Sequence, residues 1–508
     1  CDKGRYNFEY LNSETRIKTP LKKLNNNFEE VEMQEVYSEI SELIKNENTK
    51  VNFYLGSNLT NEDFVAFREF ANSISNNDNK FYLNDDVLFQ GFFNEDVELG
   101  KIDDLNNSDA IVIWAEDLKE RLPVLYLRVR QAVKNGVKLI VFGHTNRTLD
   151  DVAEIFYSDE VVSENFEIIK DLTKLEDFKS LIIEKNVTAI IGKSTPQQSD
   201  SSINKLFDFL NSNSNLKILN AFTKGNTYGA FQILDNLKGT KDFVNEINSE
   251  NTDLLFVVAA DPIGRSIYSK QVKKVFDEIK TVVSLDNFKH ETSELADVIV
   301  PISSTLGEKN GTFTNIEFRT SRIDKLVPSP GQTVSDWEFI TSLMNFSGLS
   351  NNSYSLEELN TKAFEDLDIE LKPYFDNLDK PSNLDGIINR TTPKIATSSS
   401  DSEKVNFFIG EKLYGDSVTE RNSESISLLG AKKFIEMNQE TVDKFKLTSG
   451  NCLLEQDNLE INVSYTVNNI LPKGTIYIPT NRRELNKFDF SKKIMITPSR
   501  VKEALNVN

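Results

Sequence analysis

The chain has 508 residues, of which 38% are hydrophobic, and its 79 acidic and 58 basic side chains give a formal charge of −21 at pH 7. This length predicts several structural units, and the acidic balance argues against a nucleic-acid partner, which would require a basic face. The two cysteines, Cys1 and Cys452, exclude a disulfide framework and a self-contained zinc site. The apolar runs are much shorter than the roughly 20 residues of a membrane helix, so we expect no direct membrane insertion.

The first two thirds of the chain alternate predicted strands with predicted helices. Strands are predicted for short apolar runs, and helices for segments with one apolar face. In chain order these are a helix at 28–45, a strand at 51–55, a helix through Phe70 that is capped by Thr60, Asn61, Glu62 and Asp63, a strand at 109–114, a helix from Pro123 to Gly136, strands at 137–142, 187–192, 216–219 and 254–259, a helix at 266–280 and a strand at 281–286. Apolar strands that alternate with helices are typical of parallel sheets, so we predict an α/β fold.

The last hundred residues have a different pattern. Leu459, Ile461, Val463 and Tyr465 alternate with polar residues, which predicts a strand, and Asn438 caps a predicted helix at 439–447. An acidic segment that ends in a flexible linker precedes this β-rich region. We therefore divide the chain into regions 1–48, 49–180, 181–345, 346–403 and 404–508.

Two predicted loops follow strands of the α/β regions. One contains Asp261 and Pro262, and the other contains Gly225, Asn226 and Gly229. Ligands of parallel sheets bind beyond the carboxyl ends of the strands, so these five residues are candidates for a cofactor-binding crevice. Because the loops carry few glycines and little positive charge, we interpret the crevice as vestigial. The simpler alternative, that these are only short connecting loops, is the one we favour.

The segment 296–315, ADVIVPISSTLGEKNGTFTN, is the most specific part of the sequence. A short β-branched strand ends at Pro301, and a predicted tight turn at 307–311 ends at Gly311, which we expect to adopt a positive φ. The segment resembles the ADV-(I/V)-LP…E-x-G-T-F-x-N motif of the molybdopterin oxidoreductase superfamily. The resemblance continues through Arg319 and Arg322 to the pair Asp336-Trp337.

The first residues, CDKGRYNFEYLNSETRIKTPL, resemble the end of the cluster-binding domain in the same superfamily. The resemblance is closest to the large iron–sulfur subunit of bacterial complex I (NADH–quinone oxidoreductase). It implies that Cys1 is the last ligand of a [4Fe–4S] cluster. Such a cluster needs about four thiolates, so the other ligands are expected upstream of residue 1 and the chain is expected to be a fragment.

The resemblance implies Rossmann-like α/β layers followed by a C-terminal double-psi β-barrel. It implies a scaffold portion of the large iron–sulfur subunit, without chemistry of its own, that supports electron transfer from NADH through iron–sulfur clusters to quinone. The expected partners are the other peripheral-arm subunits of complex I, at the cytoplasmic side of the inner membrane.

Two alternatives remain open at this point. The first is an active molybdenum or tungsten bis-pterin enzyme, such as a formate dehydrogenase alpha subunit. Such enzymes offer Cys, selenocysteine, Ser or Asp to the metal, and the segment 80–109 has no cysteine. We therefore expect no molybdenum cofactor, although a Ser or Asp ligand stays open. The second alternative is a stand-alone interaction module with the same fold.

Overall fold

The computed structural model describes most of the chain. The described residues are 2–74, 79–84, 98–114, 117–142, 148–149, 151–157, 172–192, 209–212, 214–350, 354–366, 406–430, 434–469, 471, 474–490 and 492–499. Cys1, the whole predicted linker at 390–404, and the middle of the segment 80–109 lie outside them. Among the described residues, no helix has both the length and the apolar content needed to cross a membrane.

The strands, in chain order, are β1 Leu21–Leu24, β2 Asn27–Glu30, β3 Val51–Leu55, β4 Phe81–Leu83, β5 Glu98–Leu99, β6 Ala110–Trp114, β7 Lys138–Phe142, β8 Ile155–Tyr157, β9 Asn186–Ile191, β10 Asn215–Asn220, β11 Leu254–Val258, β12 Thr281–Asp286, β13 Val298–Pro301, β14 Gly311–Thr314, β15 Thr320–Ile323, β16 Asn406–Gly410, β17 Phe434–Met437, β18 Asn451–Gln456, β19 Leu459–Val467, β20 Thr475–Pro479 and β21 Met495–Pro498.

The α-helices are α1 Asp2–Tyr6, α2 Met33–Ile44, α3 Asn61–Ser73, α4 Asp104–Asn107, α5 Leu118–Arg121, α6 Pro123–Lys134, α7 Leu172–Ile182, α8 Thr227–Ile233, α9 Thr240–Glu246, α10 Pro262–Arg265, α11 Ser269–Glu278, α12 Asp336–Phe346, α13 Leu356–Asp366, α14 Val418–Arg421, α15 Glu424–Gly430 and α16 Gln439–Lys444. These bounds confirm the predicted strands and helices, except that the predicted helix at 28–45 begins only at Met33.

Sheet A has seven strands in the order β2-β1-β13-β12-β11-β3-β4. The run from β13 to β4 is parallel, whereas β1 pairs antiparallel with both β13 and β2. Helices cover both faces, so its central strands are buried and mostly apolar, as is typical of parallel sheets. Phe53 in β3 stacks on Phe81 and Phe256 of the flanking strands, with ring centroids 5.0 and 5.6 Å away.

Sheet B has six strands in the order β5-β10-β9-β6-β7-β8, and all its pairings are parallel. The chain enters sheet B after β4 and returns to sheet A at β11. Strand β9 lies between β6 and β10, so sheet B crosses the predicted boundary at residue 180. The two sheets together confirm the predicted α/β fold with parallel layers.

The hairpin β14–β15 follows sheet A and carries the second half of the 296–315 segment. The expectation that Gly311 adopts a positive φ is wrong, because the positive φ in this turn, +80°, belongs to Gly307. Gly311 instead begins β14, which lies directly against the start of α3. A Cβ atom at Gly311 would lie 2.6 Å from Thr60 Cγ2 and 2.9 Å from Glu62 Oε2, so close approach is what requires glycine here.

The C-terminal region forms a third sheet of six strands, in the order β16-β20-β17-β19-β18-β21. It mixes parallel pairs, such as β16 with β20, and antiparallel pairs, such as β18 with β19. The predicted cap is present, since Asn438 Oδ1 accepts a hydrogen bond from the Thr441 amide at 2.8 Å. Among the described residues, β16 and β21 do not pair with each other, so the double-psi barrel remains a prediction.

Candidate cofactor crevice

A crevice lies where sheet A, sheet B and the C-terminal sheet meet. Apart from Thr240, the lining residues follow the ends of six strands from all three sheets: Asn84 after β4, Arg121 after β6, Thr223 and Lys224 after β10, Arg265, Ser266 and Ile267 after β11, Glu411 after β16 and Thr480 after β20. The crevice therefore occupies the position at which parallel sheets bind ligands.

Three of the lining side chains are cationic and one is a carboxylate. Arg121, Lys224 and Arg265 supply the positive charge, and Glu411 supplies the negative charge. Arg121 is held in place by a hydrogen bond from its Nη2 to Thr223 Oγ1 at 3.1 Å and by Glu411 at 3.8 Å. The crevice is thus locally basic on a strongly acidic chain.

Arg265 remains charged despite its position deep in the crevice wall. Burial disfavours its charge, but the nearby carboxylates of Glu411, Glu420 and Asp416 outweigh burial and raise its pKa. The contact to Glu420 is an ion pair at 3.5 Å. Guanidinium groups match the geometry of carboxylate and phosphate oxygens, so Arg265 is chemically suited to an anion at the crevice wall.

The candidates Asp261 and Pro262 lie next to the crevice, but their side chains serve the protein itself. Asp261 caps α10, since its Oδ1 accepts hydrogen bonds from the Gly264 amide at 3.0 Å and from Thr292 Oγ1 at 2.6 Å. Pro262 is buried at the first position of α10, where the missing N–H costs nothing. The residue of this turn that lines the crevice is Arg265.

The candidates Gly225, Asn226 and Gly229 likewise support the loop rather than line the crevice. Asn226 is buried, donates to Leu59 O at 2.8 Å and to Asn61 Oδ1 at 2.9 Å, and accepts from the Thr314 amide at 2.7 Å.

The two glycines serve the same loop. The Gly225 amide donates to Asn58 Oδ1 at 3.1 Å. A Cβ atom on Gly229 would overlap with Asn61 Oδ1. The lining residues of this loop are Thr223 and Lys224.

Sequence reasoning thus proposed candidates near these strand ends, but none of the five candidate residues lines the crevice. The conclusion that it carries little fixed positive charge is wrong, because Arg121, Lys224 and Arg265 converge there from three different loops. A usable signal was present, since each cation lies within seven residues of the end of a predicted strand.

The predicted metal ligand Cys1 lies outside the described residues. Cys452 is buried in β18, and burial raises the pKa of its thiol to about 12, so it is poorly suited to bind a metal. Within the part of the chain that the structure describes, no three His, Cys, Asp or Glu side chains converge in a way that could hold a metal ion.

The chain is similar in sequence to known oxidoreductase subunits. Over 459 residues the chain is 23% identical to the F420-dependent formate dehydrogenase subunit alpha of Methanocaldococcus jannaschii, and the match covers 73% of this chain and 67% of that protein. It is 24% identical to an NADH-quinone oxidoreductase subunit of Rhizobium meliloti over 242 residues, which cover 46% of this chain and 28% of that protein. The chain thus spans about two thirds of the first relative.

These matches correct the predicted function. The interpretation of the chain as a non-catalytic scaffold portion of the large iron–sulfur subunit of complex I is wrong, because formate dehydrogenase alpha subunits match it over much more of its length. The expected complex I partners and the placement at the inner membrane remain predictions.

The fold has a counterpart among solved structures. Acetylene hydratase from Pelobacter acetylenicus superposes with a TM-score of 0.62 at 14% sequence identity, over 92% of this chain and 85% of that one. The family model for molybdopterin oxidoreductases matches residues 16–346, which include both parallel sheets and the 296–315 segment. The chain therefore belongs to the molybdopterin oxidoreductase family.

Proposed function

We propose that this chain is the pterin-binding body of an oxidoreductase that acts on formate, as the names of the alpha subunits similar to it indicate. The observation that carries the proposal is the basic crevice at the strand ends, where Arg121, Lys224 and Arg265 meet. The extent of the match to formate dehydrogenase alpha subunits supports the choice of substrate.

The residues of the crevice fit the phosphates of a molybdopterin cofactor, which the family implies. Arg121, Lys224 and Arg265 would neutralise the phosphate charge, and guanidinium groups match phosphate oxygens in geometry. Asn84 and Ser266 add neutral hydrogen-bonding groups to the same wall. When bound, the cofactor supplies the redox centre, and the side chains of this protein bind it, orient it and exclude water.

This proposal replaces the expectation that molybdenum is absent. One ground for that expectation was a lack of positive charge in the crevice loops. The three cations that line the crevice speak against this ground. The other ground was the lack of a cysteine in the segment 80–109, which leaves a Ser or Asp side chain as the protein ligand of the metal.

A [4Fe–4S] cluster with Cys1 as one ligand remains part of the proposal. Four thiolates or so are needed for such a cluster, and Cys1 and Cys452 are the two in this sequence. We propose that Cys1 is one of these ligands, and that the cluster carries electrons away from the crevice.

The test is formate oxidation by the full-length protein, purified without oxygen from a host that synthesises molybdopterin. We expect formate-dependent reduction of benzyl viologen, together with molybdenum or tungsten in the purified protein. Arg121→Gln is expected to lower both, whereas Arg128→Gln, on the exposed face of α6, leaves them unchanged. A metal-loaded protein that does not oxidise formate would contradict the proposed substrate.

A further inference from the structure

We propose that His290 is a positioning residue, which holds Arg265 in the crevice by clamping the turn 261–265 against the segment 286–293. The inference rests on the proposed function, because it concerns one of the three cations of the same crevice. The sequence contains two histidines, His144 and His290, and neither was a candidate for a functional role.

His290 lies between two carboxylates in the interior of the protein. Its Nε2 is 2.8 Å from Asp286 Oδ2, its Nδ1 is 3.2 Å from Asp261 Oδ1, and its side chain is 1% exposed. Burial lowers the pKa of the imidazole, but the two carboxylates outweigh burial and raise it well above its usual value. The ring is therefore a buried cation that joins the loop after β11 to the loop after β12.

Asp261 transmits this contact to Arg265. The Asp261 carboxylate accepts a hydrogen bond from the Gly264 amide. The backbone carbonyl oxygen of Asp261 accepts a hydrogen bond from the Arg265 amide at 2.9 Å. Thr292 also connects the turn to the segment 286–293. Its Oγ1 donates a hydrogen bond to Asp261 Oδ1 at 2.6 Å and accepts one from the Ile263 amide at 3.0 Å. The whole turn that carries Arg265 is thus anchored on the segment that contains His290.

The charge of His290 is what the clamp requires. Without a cation between them, the carboxylates of Asp261 and Asp286 would face each other in a buried site, where like charges repel strongly. A neutral side chain of similar reach, such as Gln, removes the charge and replaces the two donor nitrogens by a single donor group. We therefore expect His290→Gln to release the turn and let Arg265 leave its position in the crevice wall.

The test is a double-mutant cycle on binding of inorganic pyrophosphate, measured by titration calorimetry with cofactor-free protein from a host that lacks molybdopterin synthesis. We expect Arg265→Gln and His290→Gln each to weaken binding about tenfold, which corresponds to about 1.4 kcal/mol. Because His290 acts through Arg265, the double variant should bind no more weakly than either single variant. Arg128→Gln is the matched surface control.

The possible results separate this inference from the proposed function. If Arg265→Gln leaves pyrophosphate binding unchanged, the phosphate-binding crevice itself is refuted. If Arg265→Gln weakens pyrophosphate binding and His290→Gln does not, His290 does not act through Arg265. The same conclusion follows if the affinity loss of the double variant equals the product of the two single-variant losses. If His290→Gln does not fold, Thr292→Val replaces it, with an expected loss of about threefold that disappears in the Arg265→Gln background.

Discussion

Arg16 and Glu308 form a buried, bidentate ion pair between segments that are 292 residues apart. Arg16 Nη1 is 3.0 Å from Glu308 Oε1, Nη2 is 2.7 Å from Oε2, and both side chains are almost completely buried. Glu308 Oε2 also accepts the Ser304 amide at 2.7 Å. The glutamate of the 296–315 segment is therefore structural, and it fastens the N-terminal segment to sheet A.

This pair predicts a large loss of stability in Glu308→Gln. Removal of one partner leaves the other charge buried and uncompensated, which costs about 3–5 kcal/mol. The measurement is the free energy of unfolding in urea. The control is Asp151→Asn, which breaks an equally bidentate but exposed pair with Arg130 and should cost about 0–1 kcal/mol. Equal losses in both variants would show that burial of the Arg16 pair is unimportant.

Gly311→Ala is predicted to destabilise the protein through steric overlap rather than backbone strain. The added Cβ would lie 2.6 Å from Thr60, at the N-cap of α3. Overpacking of this kind costs about 1–3 kcal/mol, and thermal unfolding measures it. Gly4→Ala, where the Cβ meets nothing within 4 Å, is the control. An unchanged melting temperature in Gly311→Ala would contradict the close contact between β14 and α3.

The buried cluster of Lys309, Asp63 and Asp336 predicts a pH dependence of stability. Lys309 Nζ contacts both carboxylates, at 2.6 Å from Asp63 and 2.5 Å from Asp336. Burial raises the pKa of Asp336 to about 7, and the nearby Asp63 charge adds to this effect. In the unfolded chain the same carboxyl titrates near 4.

The folded state therefore binds a proton more tightly than the unfolded state, and this contribution to stability is complete below pH 4. It is lost progressively as the pH rises from about 4 to about 7. In the natural protein, this group makes the free energy of unfolding decrease as the pH rises from 4 to 7. Asp336→Asn should remove that decrease when unfolding free energies are compared at pH 4, 5.5 and 7. If the variant and the natural protein show the same slope, Asp336 is ionised in the folded state throughout this range.

Much of the fold was accessible from sequence, because local signals and packing agree along most of the chain. The predicted cap at Thr60 is a complete capping box with Asp63, and the apolar runs are buried strands of the two parallel sheets. The exception is β2, which falls in a predicted helix. Asn25 and Asn26 both have positive φ, at 50° and 67°, so they form the two-residue hairpin turn that joins β1 to β2. That pair of asparagines was the missed signal.

The ends of the parallel strands indicated where a crevice could form. The residues that line the crevice could not be predicted, because which loop side chains face it depends on tertiary contacts. Asp261 and Asn226 make hydrogen bonds inside the protein, for example with the Gly264 amide and with Leu59 O, whereas Arg265 and Lys224 line the crevice. Periodicity and spacing carry no information about that choice.

The central claim is that the basic crevice holds a molybdopterin cofactor, and the most direct measurement is the pterin content per chain. The pterin is released by acid from protein purified from a host that synthesises the cofactor, and it is quantified by its fluorescence after oxidation. We predict a stoichiometric pterin content in the natural protein and in Arg128→Gln, and a several-fold lower content in Arg121→Gln. A natural protein that carries no pterin, although the same host loads another enzyme of this family, would contradict the claim.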